Sequence, residues 1–264
     1  MITELLRLFI GFLIVGALFT VVEKMFPAQK TKKVFRKGWR LDAFYFMFIP
    51  TVGKFISRGA FLIVLIPLYF LIVGGIPDKD MLMRGFGPIS QQPLWLQAIE
   101  ILIISDFIVY WVHRSIFHKS LKYWKIHAVH HSSEELDWLS SVRLHPLNEL
   151  VTITVRGLPL ILLGWSPVSV AVVAPITTLH AFLLHSNVNW TFGPFRYVIS
   201  SPVFHRWHHT KMDQGGMKNF AGLFPIWDLM FGTFYMPEGK VPKNFGIDGE
   251  MPEDFKGQML YPIK

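Results

Sequence analysis

Leu94-Trp-Leu-Gln-Ala-Ile-Glu100-Ile-Leu-Ile-Ile-Ser-Asp106-Phe-Ile-Val-Tyr110-Trp-Val-His113-Arg-Ser-Ile-Phe-His118 is the stretch on which the fold turns. Leu94 to Val112 is apolar and long enough to cross a bilayer as a helix. It therefore delivers His113 and His118 to one membrane face. Three further histidine groups follow: His127-Ala-Val-His130-His131, His180-Ala-Phe-Leu-Leu-His185 and His205-Arg-Trp-His208-His209. Together the four groups hold all but one of the eleven histidines, in a chain that otherwise reads as membrane-embedded.

Outward from that stretch, composition agrees. Of 264 residues, 52% are apolar and 24 are Phe, with a mean hydropathy of +0.38. The net charge of +8 sits mostly beside apolar runs, which suits anionic lipid at a cytoplasmic face and not a nucleic-acid groove. No nucleic-acid partner is expected. The chain has no Cys, which excludes disulfides, thiolate zinc sites and iron–sulfur clusters.

The first apolar run, Leu5 to Val22, is broken only by Arg7 and lacks a small-residue cleavage site, so it reads as a retained helix. Lys24, Lys30, Lys32, Lys33, Arg36, Lys37 and Arg40 follow it, and the positive-inside rule places them in the cytoplasm. Asp42 to Ser57 carries Pro50, Gly53 and Lys54 and reads as an interfacial or re-entrant segment. Ala60 to Ile76 spans outward, Pro77 to Pro93 forms a loop, and Leu94 to Val112 returns. The apolar region Glu149 to Leu184 is divided by Gly164-Trp-Ser-Pro167 and reads as a helical hairpin. This is an all-α, multi-pass integral membrane protein with every histidine group on the cytoplasmic side. It is one membrane domain: helices in 1–93, the histidine-bearing region in 94–240, and a tail in 241–264.

On an α-helix, residues at i, i+3 and i+4 share a face, while adjacent residues diverge by about 100°. Each HxxHH box can therefore serve one site with three rings, or divide its adjacent pair between two metals. HxxxxH is harder, because five residues on a regular helix place the rings about 140° apart. Such a pair must straddle a helix end, ride a local π-bulge or feed two metals. A lone histidine such as His145 reads as a satisfied core residue, but two HxxHH boxes read as metal ligands. Structural zinc normally takes four ligands including Cys, and catalytic zinc takes about three. Ten imidazoles suit a pair of redox metals with four or five nitrogens each, although imidazole alone does not choose between iron, copper, zinc and nickel.

The order and setting of these motifs resemble the fatty acid hydroxylase / sterol desaturase superfamily of membrane di-iron enzymes. The likeness rests on Asp106-Phe-Ile-Val-Tyr-Trp-Val-His113-Arg, His127-Ala-Val-His130-His131-Ser-Ser, Arg143-Leu-His145-Pro, His185-Ser-Asn187, Pro202-Val-Phe-His205-Arg-Trp-His208-His209 and Pro225-Ile-Trp-Asp228-Leu-Met-Phe-Gly232-Thr, and covers about residues 95–240. It implies a membrane anchor of about four helices under a cytosolic helical cap. It also implies two iron ions held by His113, His118, His127, His130, His131, His180, His185, His205, His208 and His209. The implied reaction is O2-dependent hydroxylation or desaturation of a sterol-like, fatty acyl or carotenoid lipid. Electrons would come from a separate cytochrome b5-like protein, ferredoxin or reductase, since no Gly-rich dinucleotide fingerprint is present. Ether-lipid cleavage at the same site is the nearer alternative. A metal transporter or sensor is the farther one, and it should string its ligands across the bilayer.

Four residues are candidates for orienting the ligands. Asp106, a carboxylate within a membrane helix, is costly there unless it has a function; it is expected to accept a hydrogen bond from a histidine of another box, or else to pair with Arg156. His145 stands before Pro146 as an eleventh ligand, a neighbour of the ligands or a proton relay. Asn219 and Asp228 follow the last box and either orient ligands or cap local structure. No functional role is assigned to Glu100. Phe107, Tyr110, Phe117, Trp124 and Trp207 are read equally as channel wall or ordinary packing.

Overall fold

A chain this apolar must surround its polar core with helices that turn their other faces to lipid, and a computed structural model describing residues 2–75 and 78–263 has that form. It is all-α, with two isolated β-bridges and no strand among the described residues. Five helical runs are long and apolar enough to cross a membrane: Thr3–Met25, Trp39–Ile72, Leu94–Phe117, Pro146–Leu163 and Pro167–His185. The first helix, α1 (Ile2–Met25), leaves Leu6, Leu13, Ile14 and Leu18 more than half exposed, as a lipid-facing surface requires.

The second run corrects the sequence reading. Asp42 to Ser57 is not a separate interfacial segment. α2 (Trp39–Phe48) passes through a π turn at Ile49–Gly53 directly into α3 (Lys54–Val73). Pro50, which has no N–H to donate to the preceding turn, falls where the run switches to this wider turn. At 34 residues the run measures about 50 Å, beyond the roughly 30 Å of hydrocarbon, so one end must stand clear of it. That end carries Asp42, fully buried against Arg36 and Arg143. Ile76 and Pro77, which bound the expected span and loop, lie outside the described residues.

After α4 (Lys79–Arg84), α5 (Leu94–Trp111) runs into a π turn at Val112–Phe117 and then α6 (Leu121–His131). α7 (Pro146–Leu163) and the pair α8 (Pro167–Val172) and α9 (Ala174–His185) form the expected hairpin. Gly164 makes the turn in the left-handed region at φ +116, and a Cβ there would lie 2.5 Å from the Phe86 carbonyl oxygen. Ser166 caps α8 by accepting from the Ser169 amide. Ile101, Leu160, Trp165 and Val173 fill the space between α5 and the hairpin, and the half-buried Glu100 accepts from the Trp165 indole. At the other end, α10 (Pro202–His208), α11 (Ile226–Met230) and α12 (Phe255–Leu260) complete a cap.

All the helix ends that matter meet at one end of the bundle. Glu23, near the end of α1, accepts from the amides of Trp138 and Asn187. Phe19, Trp138, Leu139 and Phe182 lock α1 and α9 to the 3-10 turn Trp138–Val142. Beside them Arg36 spans Asp42 and Asp137, and Arg143 closes the chain onto Asp42. Burial alone would raise Asp137, but Lys32 and Arg36 outweigh it and hold the carboxyl below its usual range. A fully paired network of this kind tolerates burial that any one of its charges would not.

Candidate metal centre

At that end, nine histidines form two groups, each with ligand-capable nitrogens within 4.8 Å of one another. One holds His113, His118, His127, His131 and His208, and the other His130, His185, His205 and His209. The adjacent histidines of each box part company, as their divergence on the helix demands. His127 and His131 face the five-membered group while His130 crosses to the other; His205 and His209 face the four-membered group while His208 crosses back. The seam is the ring pair His131–His209, stacked at 4.3 Å.

The two HxxxxH pairs reach different ends. The π turn at Val112–Phe117 brings the rings of His113 and His118 to 5.0 Å, inside one group. His180 and His185 stand on an unbroken α-helix. His185 joins the four-membered group, whereas His180 lies in neither and lines a neighbouring cavity, its Nε2 buried and unpartnered.

Five of the nine rings are aimed by what holds their other nitrogen. Nδ1 of His113 meets the Phe220 carbonyl at 2.8 Å, Nδ1 of His127 the Asn148 Oδ1 at 2.8 Å, and Nδ1 of His208 the Lys218 carbonyl at 2.8 Å. In the second group, Nδ1 of His130 meets the Arg143 carbonyl at 3.2 Å and Nδ1 of His185 the Ala181 carbonyl at 2.8 Å. An oxygen acceptor requires an N–H, so all five rings carry their proton on Nδ1 and turn a bare Nε2 lone pair inward.

Those lone pairs face one another. Nε2 of His113 and His127 are 3.0 Å apart, and Nε2 of His130 and His185 are 3.1 Å apart. With both protons already placed on Nδ1, neither pair is a hydrogen bond. A third proton would need an imidazolium, and burial together with neighbouring imidazoles holds His118, His127, His130, His131, His205, His208 and His209 well below the ordinary histidine range. A cation is what such an arrangement fits. The spacing also bears on coordination: metal–nitrogen bonds of about 2.1 Å put right-angle neighbours roughly 3.0 Å apart and tetrahedral ones roughly 3.4 Å apart. The donor set fits higher-coordinate metals better than tetrahedral zinc.

The residues expected to orient the ligands are placed differently from their forecast. Asp106 touches no histidine and makes no ion pair with Arg156. Its Oδ1 accepts from the amides of Gly222 and Leu223, and its Oδ2 from the Phe224 amide and the Trp227 indole. Asp228 accepts from the amides of Phe220 and Ala221, and Asn219, at φ +58, is tied to Phe204 and Tyr235. Together the three fix residues 218–224, the segment whose carbonyls hold His208 and His113. They act on the rings through the backbone. His145 lies in neither histidine group: its Nδ1 accepts from the Leu147 amide to cap α7, and its Nε2 donates to the Met259 carbonyl. Asn148, one turn into α7, is the orienting residue that sequence reading missed. Of the aromatics, Phe117 stacks on His127 at 4.9 Å and Trp124 packs against His118 and His131; none of the five lines the cavity beside His180.

Comparison with known proteins agrees with this geometry. Residues 98–233 match the family model described as fatty acid hydroxylase. An ornithine lipid hydroxylase of Rhizobium tropici is 34% identical over 175 residues, 66% of this chain and 52% of that protein. Human alkylglycerol monooxygenase is 36% identical over 137 residues, covering 52% of this chain and 30% of the relative. A very-long-chain aldehyde decarbonylase of Oryza sativa subsp. japonica is 28% identical over 144 residues, 48% and 21% of the two chains. The chain thus spans about half the length, or less, of these curated relatives. No solved structure matches it.

Proposed function

The chain belongs to the fatty acid hydroxylase family, and on that footing we propose that it is a membrane-embedded oxidoreductase that hydroxylates a lipid through two iron ions. One iron would be held by His113, His118, His127, His131 and His208, the other by His130, His185, His205 and His209. The observation that carries this is the confrontation of bare Nε2 atoms across His113–His127 and His130–His185. When bound, the metals would supply the O2 chemistry that no side chain can. The protein's own share is to fix five tautomers through oxygen acceptors, to exclude water with the rings of Phe117, Trp124 and Phe220, and to keep the ligands neutral by burial.

Electrons would come from a separate donor protein. The exposed Lys30, Lys33 and Arg40, beside the site end of α1 and α2, favour an acidic partner, and by the positive-inside rule this end is cytoplasmic. Convergence of the ligands at one end of the bundle supports an enzyme over a transporter. Similarity to alkylglycerol monooxygenases supports ether-lipid oxygenation as the second reading.

The test is metal content and O2-dependent turnover of iron-supplied, detergent-purified protein beside a His208→Ala/His209→Ala variant. Two irons per chain in the wild type, lost in the variant, with an oxygenated lipid formed when reductant is added, is the expected result. Folded protein that takes up no redox metal would overturn the reading.

A further inference from the structure

A cavity of about 210 Å³ starts at His185 and His205 of the four-membered group and continues between α5, α7 and α9. Its walls are mainly apolar; beyond the ligands and the hydroxyls of Ser105 and Thr177, the ionisable side chains on them are Asp106, His180 and Arg156. Asp106 is spent, since both its oxygens are filled by four donors of the 222–227 segment. The Nε2 of His180 is buried and has no hydrogen-bond partner. Arg156 is the one cation on this wall, and among the described residues it has no hydrogen bond and no carboxylate within ion-pair distance.

Its position makes that costly. Arg156 lies mid-way along Pro146–Leu163, a membrane-crossing run, where an ionisable side chain is expensive and marks a pathway or a ligand. Eight residues separate it from Asn148, which holds His127 at the metal end, so its Cα stands about 12 Å further along the axis. Glu149, two turns away on the same helix, is its nearest acid by sequence; it attracts the guanidinium through space but forms no ion pair or hydrogen bond with it. A fork of N–H donors on a dry wall is built for the two oxygens of a carboxylate or phosphate.

Resting on the lipid-oxygenase reading, we propose that Arg156 is a specificity-determining residue that binds the oxyanion of an amphiphilic substrate, a carboxylate or a phosphate. The anion is held along the cavity, and the apolar chain is directed to the metal group at its His185–His205 end. Neutral lipids of the same length lack this anchor and bind less well.

The proposal is tested by binding, which does not depend on metal loading. The full chain in neutral nanodiscs is titrated with two pairs of ligands, palmitate against hexadecanol and dioleoyl phosphatidic acid against diolein. Wild type, Arg156→Gln, Arg156→Lys and Arg156→Met are compared, the last because an apolar side chain removes the membrane cost and favours folding. The expected result is that at least one anion binds wild type tenfold or more tighter than its neutral partner. Arg156→Gln and Arg156→Met erase that preference without weakening the neutral ligand, and Arg156→Lys keeps part of it. The pair that shows the preference tells a carboxylate from a phosphate. Equal binding of both members in both pairs, or an equal loss of anion and neutral ligand in the folded variants, would overturn the proposal. Neither outcome touches the metal reading, which the iron analysis decides separately.

Discussion

The amide of His118 donates to the carbonyl of His113 at 3.0 Å, five residues back along the chain. That i→i+5 bond closes the π turn that makes an awkward HxxxxH spacing usable. The wider turn brings both rings into the five-membered group, whereas the same spacing on the regular α9 leaves His180 outside. Metal analysis of single variants should follow this division. His118→Ala and His185→Ala are expected each to lose metal, and His180→Ala to keep the wild-type content. Loss from His180→Ala as complete as from His185→Ala would mean that the helix rearranges on loading.

Asn148 is predicted to matter nearly as much as a ligand. Its Oδ1 fixes the His127 ring, and partners of this kind are typically worth about 10–100-fold in metal affinity. Asn148→Ala should weaken metal binding by that order while the fold persists, because the residue lies in a helix already capped by His145. Chelator competition followed spectroscopically reads the effect directly; an unchanged affinity would assign Asn148 to packing alone.

Asp106 is expected to act on stability first. Asp106→Asn replaces one acceptor oxygen by a donor facing N–H groups, either Gly222 and Leu223 or Phe224 and Trp227. Losing charge-assisted bonds and leaving buried donors unmade should cost about 2–4 kcal/mol. Through Phe220, the same loosening reaches His113. Thermal denaturation in detergent should show the loss in metal-free protein as well. A variant destabilised only when metal is present would instead point to direct action on a ligand.

The membrane helices, the hairpin at Gly164 and the parting of the boxes were legible because each rests on a local rule: apolar length, turn residues, 3.6-residue periodicity. The division of His130 from His131 was one of two arrangements that the angle between adjacent residues allowed. What was not legible depends on partners distant in sequence. Asp106 looked like a ligand's neighbour because it sits seven residues before His113, yet its four donors come from residues 222–227, more than a hundred positions away. Asn148 carried no signal at all, being one polar residue in a helix of ordinary composition. The segment Asp42 to Ser57 was read as interfacial on Pro50, Gly53 and Lys54, which break an apolar run in sequence but are absorbed by the π turn, while Arg36 and Arg143 enclose Asp42.

His145 gives a prediction in pH. Burial holds its imidazole below the ordinary histidine range, against the bond to Met259, because the neutral Nδ1 must accept from the Leu147 amide. The unfolded chain takes up this proton near pH 6.5, and the folded chain resists it until lower pH. The contribution of His145 is therefore complete above about pH 6.5 and shrinks as pH falls below it. Asparagine also caps helices and does not titrate in this range. Compared between pH 8 and pH 5.5, metal-free wild type should lose more thermal stability than His145→Asn, the other histidines being common to both. Parallel losses in the two proteins would show that His145 does not change its protonation on unfolding, and that its cap is made by something other than a neutral ring.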